Sequence, residues 1–122
     1  MALDVGAALE TVGIGAWDLD VTTGRMTWSD SARELLGLTD DDADLETLMQ
    51  RVCPQDSDQV RYAVMRAIIE RTPLSERFGL LESDGGVNEV ELRARVTGDA
   101  QGRPRRLIGV CFTPAQDALS AA

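Results

Sequence analysis

Acidic side chains two residues apart are the first features of this 122-residue chain with catalytic meaning. Asp18 and Asp20 form one such pair and Glu89 and Glu91 another, and a period of two places both members on one face of a strand. Two carboxylates on a shared face are the minimum for acid and base work on a bound substrate. Each pair alternates with apolar residues, however: Trp17, Leu19 and Val21 in one case, Val90 and Leu92 in the other. That sends the acids to the solvent or partner side, and Asp20 is expected to accept hydrogen bonds from the Thr22-Thr23 turn. Asp40, Asp42 and Asp44 have the one-three-five spacing of a calcium loop. Its sixth position would be Leu45 instead of Gly and its twelfth Arg51 instead of Glu, so a solvated loop is expected and no metal. Arg103, Arg105 and Arg106 make a basic cluster too small to mark a phosphate site.

Absences narrow the chemistry further. With no His and no Lys, the chain cannot supply a Ser-His-Asp triad, a Walker lysine, a Schiff-base lysine or a histidine ligand to zinc or haem. Cys53 and Cys111 lie far apart in apolar neighbourhoods and read as buried free thiols. The net charge of −9 opposes nucleic acid and anionic membrane surfaces. No apolar run approaches the roughly 20 residues that span a bilayer, and the N-terminus lacks a secretion signal. A single cytoplasmic domain is expected, not an enzyme.

Gly13 to Leu38 organises the rest. Ile14 to Val21 alternates as a strand, Thr22 to Arg25 supplies a turn, and Met26 to Trp28 resumes the alternation as a second strand. Ser29, Asp30 and Ser31 offer caps for the following helix, with Ser31 and Glu34 at capping-box spacing, and Gly37 ends it. Leu3 to Val12 carries apolar residues at helical spacing, but the segment is short for a helix standing alone. Asp44 caps a helix through Leu45, Leu48, Met49 and Val52. A longer helix follows Pro54, with Asp56 as its expected N-cap and Pro73 beyond its end. Its stripe is Val60, Ala63, Val64, Ala67 and Ile68, and Tyr62, Met65 and Ile69 are expected to broaden the buried face. Three strands close the chain, with turns at Asp84-Gly85-Gly86 and Gly98 to Gly102, and the last, Leu107 to Phe112, is apolar on both faces and therefore central.

The opening resembles that of PAS domains, in particular the subclass reading G-x-W-x-W-D-x-x-T-G. The matching residues are Gly15, Trp17, Asp18, Leu19 in place of the second Trp, Asp20, Thr23 and Gly24, followed by Trp28, Ser29, Leu36 and Gly37. The resemblance continues through Pro54-Gln55-Asp56, Asp84-Gly85, Gly102 and Gly109-Val110. It implies an α+β fold with a five-stranded antiparallel sheet in the order 2-1-5-4-3, helices on one face and a short N-terminal helix. It divides the chain into an N-terminal cap over 1–13, the domain over 14–114 and a tail or linker root over 115–122. Three positions depart from the family pattern: Gly79 stands where Arg is usual, Glu89 where an aromatic is usual, and Thr113-Pro114 where Asp-Ile-Thr is usual.

The function that the resemblance implies is a non-catalytic sensory module of bacterial signal transduction, as in two-component systems. Its partner would be a signalling protein or a linked output domain, a histidine kinase or a cyclic-dinucleotide enzyme, with a homodimer as one arrangement. A ligand-free adaptor and a small carboxylate-using enzyme are the alternatives. The space between long helix and sheet would be lined by Trp17, Leu19, Val64, Ile68, Phe78, Leu80, Leu92 and Val110. Relatives hold haem, flavin or a metabolite in that space, or nothing. The lack of His excludes a histidine-ligated haem, and the missing Asn-Cys-Arg-Phe-Leu-Gln motif sets aside a covalent light-sensing flavin. A non-covalent flavin or small apolar ligand and a filled core stay open. The expected interaction surface is Leu3, Val5, Leu9 and Val12 on the first helix with Glu89, Glu91, Arg93 and Arg95 on the fourth strand.

Overall fold

In the computed structural model, which describes residues 4–39 and 43–114, the alternating stretches fold as strands. β1 (Gly15–Asp20) and β2 (Met26–Trp28) make the hairpin, with Gly24 at φ 77° in the left-handed region that its turn requires. β3 (Leu74–Leu81), β4 (Val87–Gly98) and β5 (Pro104–Phe112) form an antiparallel meander. β5 then lies against β1, with Gly15 opposite Cys111 and Asp20 opposite Arg106. The result is one sheet in the order β2-β1-β5-β4-β3, the α+β arrangement read from the sequence.

The helices are α1 (Val5–Thr11), α2 (Asp30–Leu36), α3 (Leu45–Arg51) and α4 (Pro54–Ile69). Trp17, Leu19, Phe78, Leu80, Leu92 and Leu107 point inward from the sheet and meet Leu36, Leu48, Val60, Val64 and Ala67 from α2, α3 and α4 in one apolar cluster. Helix starts differ from expectation at two places. Ser29 caps α2: its Oγ accepts from the Ala32 amide at 3.2 Å and from the Ala16 amide at 2.9 Å, tying the helix to β1. Ser31 makes no box with Glu34 but donates to the Glu10 carboxylate of α1. α4 begins at Pro54, because proline at the first helical position has no amide to satisfy. Asp56 is therefore inside the first turn, where its carboxylate accepts the Gly79 amide of β3 at 2.9 Å.

The buried face of α4 is narrower than expected. Tyr62, Met65 and Ile69 are 65%, 57% and 69% exposed. At about 100° per residue they fall on the side of the helix opposite Val60, Val64 and Ala67, so the packed stripe excludes them. The sheet packs closely enough to demand glycine at one position. Gly109 stands opposite both Trp17 and Ala94, and an added Cβ would lie 2.2 Å from the Arg93 carbonyl oxygen and 2.6 Å from the Ala94 Cβ. Gly109→Ala is expected to lower the unfolding free energy by about 2–3 kcal/mol, read as an earlier urea midpoint with the slope kept. An unchanged midpoint would deny the close approach of β4 and β5.

Candidate functional site

Two faces of the sheet carry the candidate residues. On the inner face the structure brings together Trp17, Leu19, Phe78, Leu80 and Leu92, with Val64 buried and Ile68 half-buried against them from α4. Val110 does not join them. The register sets it opposite Ala16 and Arg93 on the outer face, while Cys111 turns inward. A strand apolar on both sides carries no parity signal, which is why its sequence misplaces this residue. What Val110 contributes is its carbonyl, which accepts the Trp17 indole N–H at 3.1 Å. The Trp28 indole likewise donates to the Ala43 carbonyl at 3.0 Å, so both buried indoles are satisfied.

On the outer face Glu89, Arg93 and Arg95 are exposed as expected, but Glu91 is only 2% exposed. Arg77, directly opposite on β3, donates to its carboxylate from Nε at 2.5 Å, and Arg93 donates from Nε on the other side. The Arg93 guanidinium also lies 5.2 Å from the ring centroid of Phe112, which pairs with Glu91 across β5. Burial works against the Glu91 charge, yet the hydrogen bonds and positive charges of Arg77 and Arg93 prevail and hold its carboxyl below the usual glutamate range. Arg77 and Phe112 escaped the sequence reading because they join Glu91 only through strand register.

The other pair of acids is occupied structurally. Asp18 lies 3.2 Å from Arg106. Asp20 accepts the amides of Thr23 at 3.1 Å and Thr22 at 2.9 Å, which lower its carboxyl. They border a cleft of about 400 Å³ together with Arg25, Arg33 and Arg106. Asp40 to Asp42 lie outside the described residues, and Asp44 caps α3 by accepting the Thr47 amide at 2.9 Å. On α1, Val5 and Val12 are exposed and Leu9 is half-buried, while Leu3 is outside the described residues. α1 packs against β1, whereas the Glu89–Arg95 strip lies on β4, two strands away in the sheet.

A PAS fold family model matches residues 25–111. The chain belongs to the PAS fold family. It is 31% identical over 103 residues to the sensor protein FixL of Bradyrhizobium diazoefficiens, covering 84% of this chain and 20% of that protein. The chain thus spans about a fifth of that relative. Among solved structures, it superposes on the N-terminal domain of a Marinobacter aquaeolei diguanylate cyclase with PAS/PAC sensor with a TM-score of 0.77 at 19% identity, covering 86% of this chain and 98% of that one. A sensory box histidine kinase/response regulator from Burkholderia thailandensis gives 0.72 at 20% identity, covering 98% and 94%. These PAS relatives belong to sensors whose outputs are a kinase or a cyclase.

The relatives correct the reading of cofactors. Haem, light-sensing flavin and metal were set aside on missing residue types and one missing motif. Yet the chain is similar to FixL, to an RNA-binding light-oxygen-voltage receptor with a TM-score of 0.74 at 19% identity (85% of this chain, 30% of that one), and to a light-oxygen-voltage domain described with a flavin analogue, at 0.65 and 16% (99% and 92%). Those absences therefore do not decide what the scaffold carries. The inner face of the sheet is packed with apolar side chains in this structure.

Two measurements check the site. Glu91→Gln removes a charge shared by two half-exposed arginines, so the loss, reduced by solvent screening, is expected to be about 1–2 kcal/mol. The folded-state carboxyl titrates below its unfolded value, so this contribution is complete above the ordinary glutamate range and drains away as pH falls through the lower folded value. The wild-type advantage over Glu91→Gln should accordingly be full at pH 7 and shrink in acid. An advantage independent of pH would contradict the paired charge. Both thiols are buried, and burial pushes Cys111 up to about 12, so neither should react with a thiol reagent at pH 8 until denaturant is added. Rapid labelling of the folded chain would show that the core is open.

Proposed function

We propose that this chain is a non-catalytic sensory module that regulates a partner or a linked output domain through protein contacts. The observation that carries the reading is the outer sheet face. The described helices that enter the core pack on the inner face, whereas outside the sheet presents Arg93 beside the buried Glu91 and, further along β4 and β5, the cross-strand pair Arg95 and Ile108. Phe112, held under Arg93, ends β5 two residues before Pro114, so a change in the packing of this face reaches the point where the chain leaves the sheet. Such a module acts by shifting populations, and its partner need only prefer one packing over the other.

On this reading the module is residues 14–114, residues 1–13 are an N-terminal cap with Val5, Leu9 and Val12 as contact residues, and 115–122 are a tail or the root of a linker. The output is a kinase or a cyclic-dinucleotide enzyme, and a second copy is a natural partner for the cap. The opening on Gly15, Trp17, Asp20, Thr23 and Gly24 supports the subclass with G-x-W-x-W-D-x-x-T-G.

A chimera tests this reading. Residues 14–114 replace the PAS segment of the Burkholderia histidine kinase, and autophosphorylation is compared with Arg95→Glu, an exposed outer-face position clear of the Glu91 pair, in the same background. The charge reversal should change kinase activity at least 3-fold while the purified module keeps its fold. Equal activity of the two chimeras would remove the outer face from signalling. Substrate turnover by the isolated chain, abolished by Asp18→Asn, would restore the enzyme reading.

A further inference from the structure

α4 carries an apolar stripe that no other described residue covers. Tyr62, Met65 and Ile69 recur at helical spacing on its outer side, and the guanidinium of Arg66 lies 5.8 Å from the Tyr62 ring centroid. Beside the stripe runs a cleft of about 300 Å³ between α4 and the start of β3, lined among others by Gln59, Tyr62, Ala63, Pro73, Leu74 and Ser75. β3 is an edge strand. Part of its edge is already used from within the chain: Val52 bridges Leu80 in antiparallel sense, the Cys53 amide donates to the Gly79 carbonyl at 2.9 Å, and Asp56 takes the Gly79 amide. The connection then turns away into α4 at Pro54. Had it continued as a strand, it would have run past Ser75, whose main chain points to the same side of β3 as that of Gly79 because four residues separate them.

We propose that the groove between α4 and the edge of β3 receives an extended peptide segment of a partner protein, which continues the line begun by Val52 and Cys53 as an added strand. Main-chain hydrogen bonds at Ser75 supply the pairing, and one apolar side chain of the peptide fills the cleft over Leu74 and Ala63 against Tyr62. A space of this size takes a single Leu- or Phe-sized side chain. Extended backbone is favoured over a docked helix because the chain's own segment already meets this edge as a strand. Pro73, which has no amide, limits the pairing to a short stretch, so the contact is reversible and selective instead of an open edge for aggregation. The groove meets the outer sheet face at Ser75, which pairs with Arg93, whereas its cleft at Tyr62 and Ala63 lies on the α4 side.

Heptapeptides selected from a random phage-displayed library on the purified chain, then synthesised with capped ends and titrated by fluorescence polarisation, test this. The selected sequences are expected to share apolar residues two apart. Binding should weaken at least 10-fold with Ser75→Pro, which removes the edge amide, and with Tyr62→Ala, a surface change that spares the fold. Glu89→Ala on the outer face should leave it unchanged. Failure to enrich any sequence, or binding that survives Tyr62→Ala, would overturn the proposal. So would a peptide-free dimer in sedimentation that Tyr62→Ala dissolves, since the stripe would then belong to a second copy.

Discussion

The pairing of β1 with β5 is the constraint on which the remaining structure depends. It joins a strand near the start of the chain to one near its end, and every other described element except α1 must fit between them. Closing so long a loop costs entropy that rises only slowly with its length, and a central strand apolar on both faces returns more burial than an edge strand would. On its other side β5 is closed by β4, and Gly109 permits that approach, since the neighbouring backbone of β4 occupies the volume where a Cβ would sit. Once the two strands adjoin, the hairpins on either side extend the sheet, and the intervening helices cover its inner face.

Electrostatics on the outer face follow from that arrangement. Burying a carboxylate is costly unless it is paired and hydrogen-bonded, and Glu91 meets both conditions through residues that sit on different strands or different positions of one strand. The cluster links β3 and β4, and through Phe112 it reaches the end of β5. Gly79 has a comparable explanation. Its main chain is held by Cys53 and Asp56, and an added Cβ would lie 2.8 Å from both the Cys53 Sγ and a Val87 methyl, so the arginine usual in the family has no room at this point.

Much of the fold was legible because local signals agreed with one another. Alternation in Trp17 to Val21 and in Val90 to Val96, the turn at Gly24 and the cap at Asp44 each point to the element that forms. The candidate site was legible only in part. Val110 could not be assigned a face within a uniformly apolar strand, and Glu91 looked solvated because the partners that enclose it come from register. Tyr62, Met65 and Ile69 were read as core because an apolar type suggests burial, whereas one helix can bury only the arc facing its sheet. Cofactor occupancy was illegible for a different reason: the scaffold is shared with FixL and with light-oxygen-voltage proteins, and missing residue types in one chain do not name a bound group.

The most direct test of the account is native-state hydrogen exchange on the intact chain. If the β1–β5 ladder unites both ends of the polypeptide, the hydrogen-bonded amides of Trp17, Leu19, Leu107 and Cys111 should exchange together, at the rate of global unfolding, and respond identically to denaturant. Exchange of β1 and β2 well before β5, with a separate denaturant dependence, would show two independent units and contradict the single sheet on which the functional reading is built.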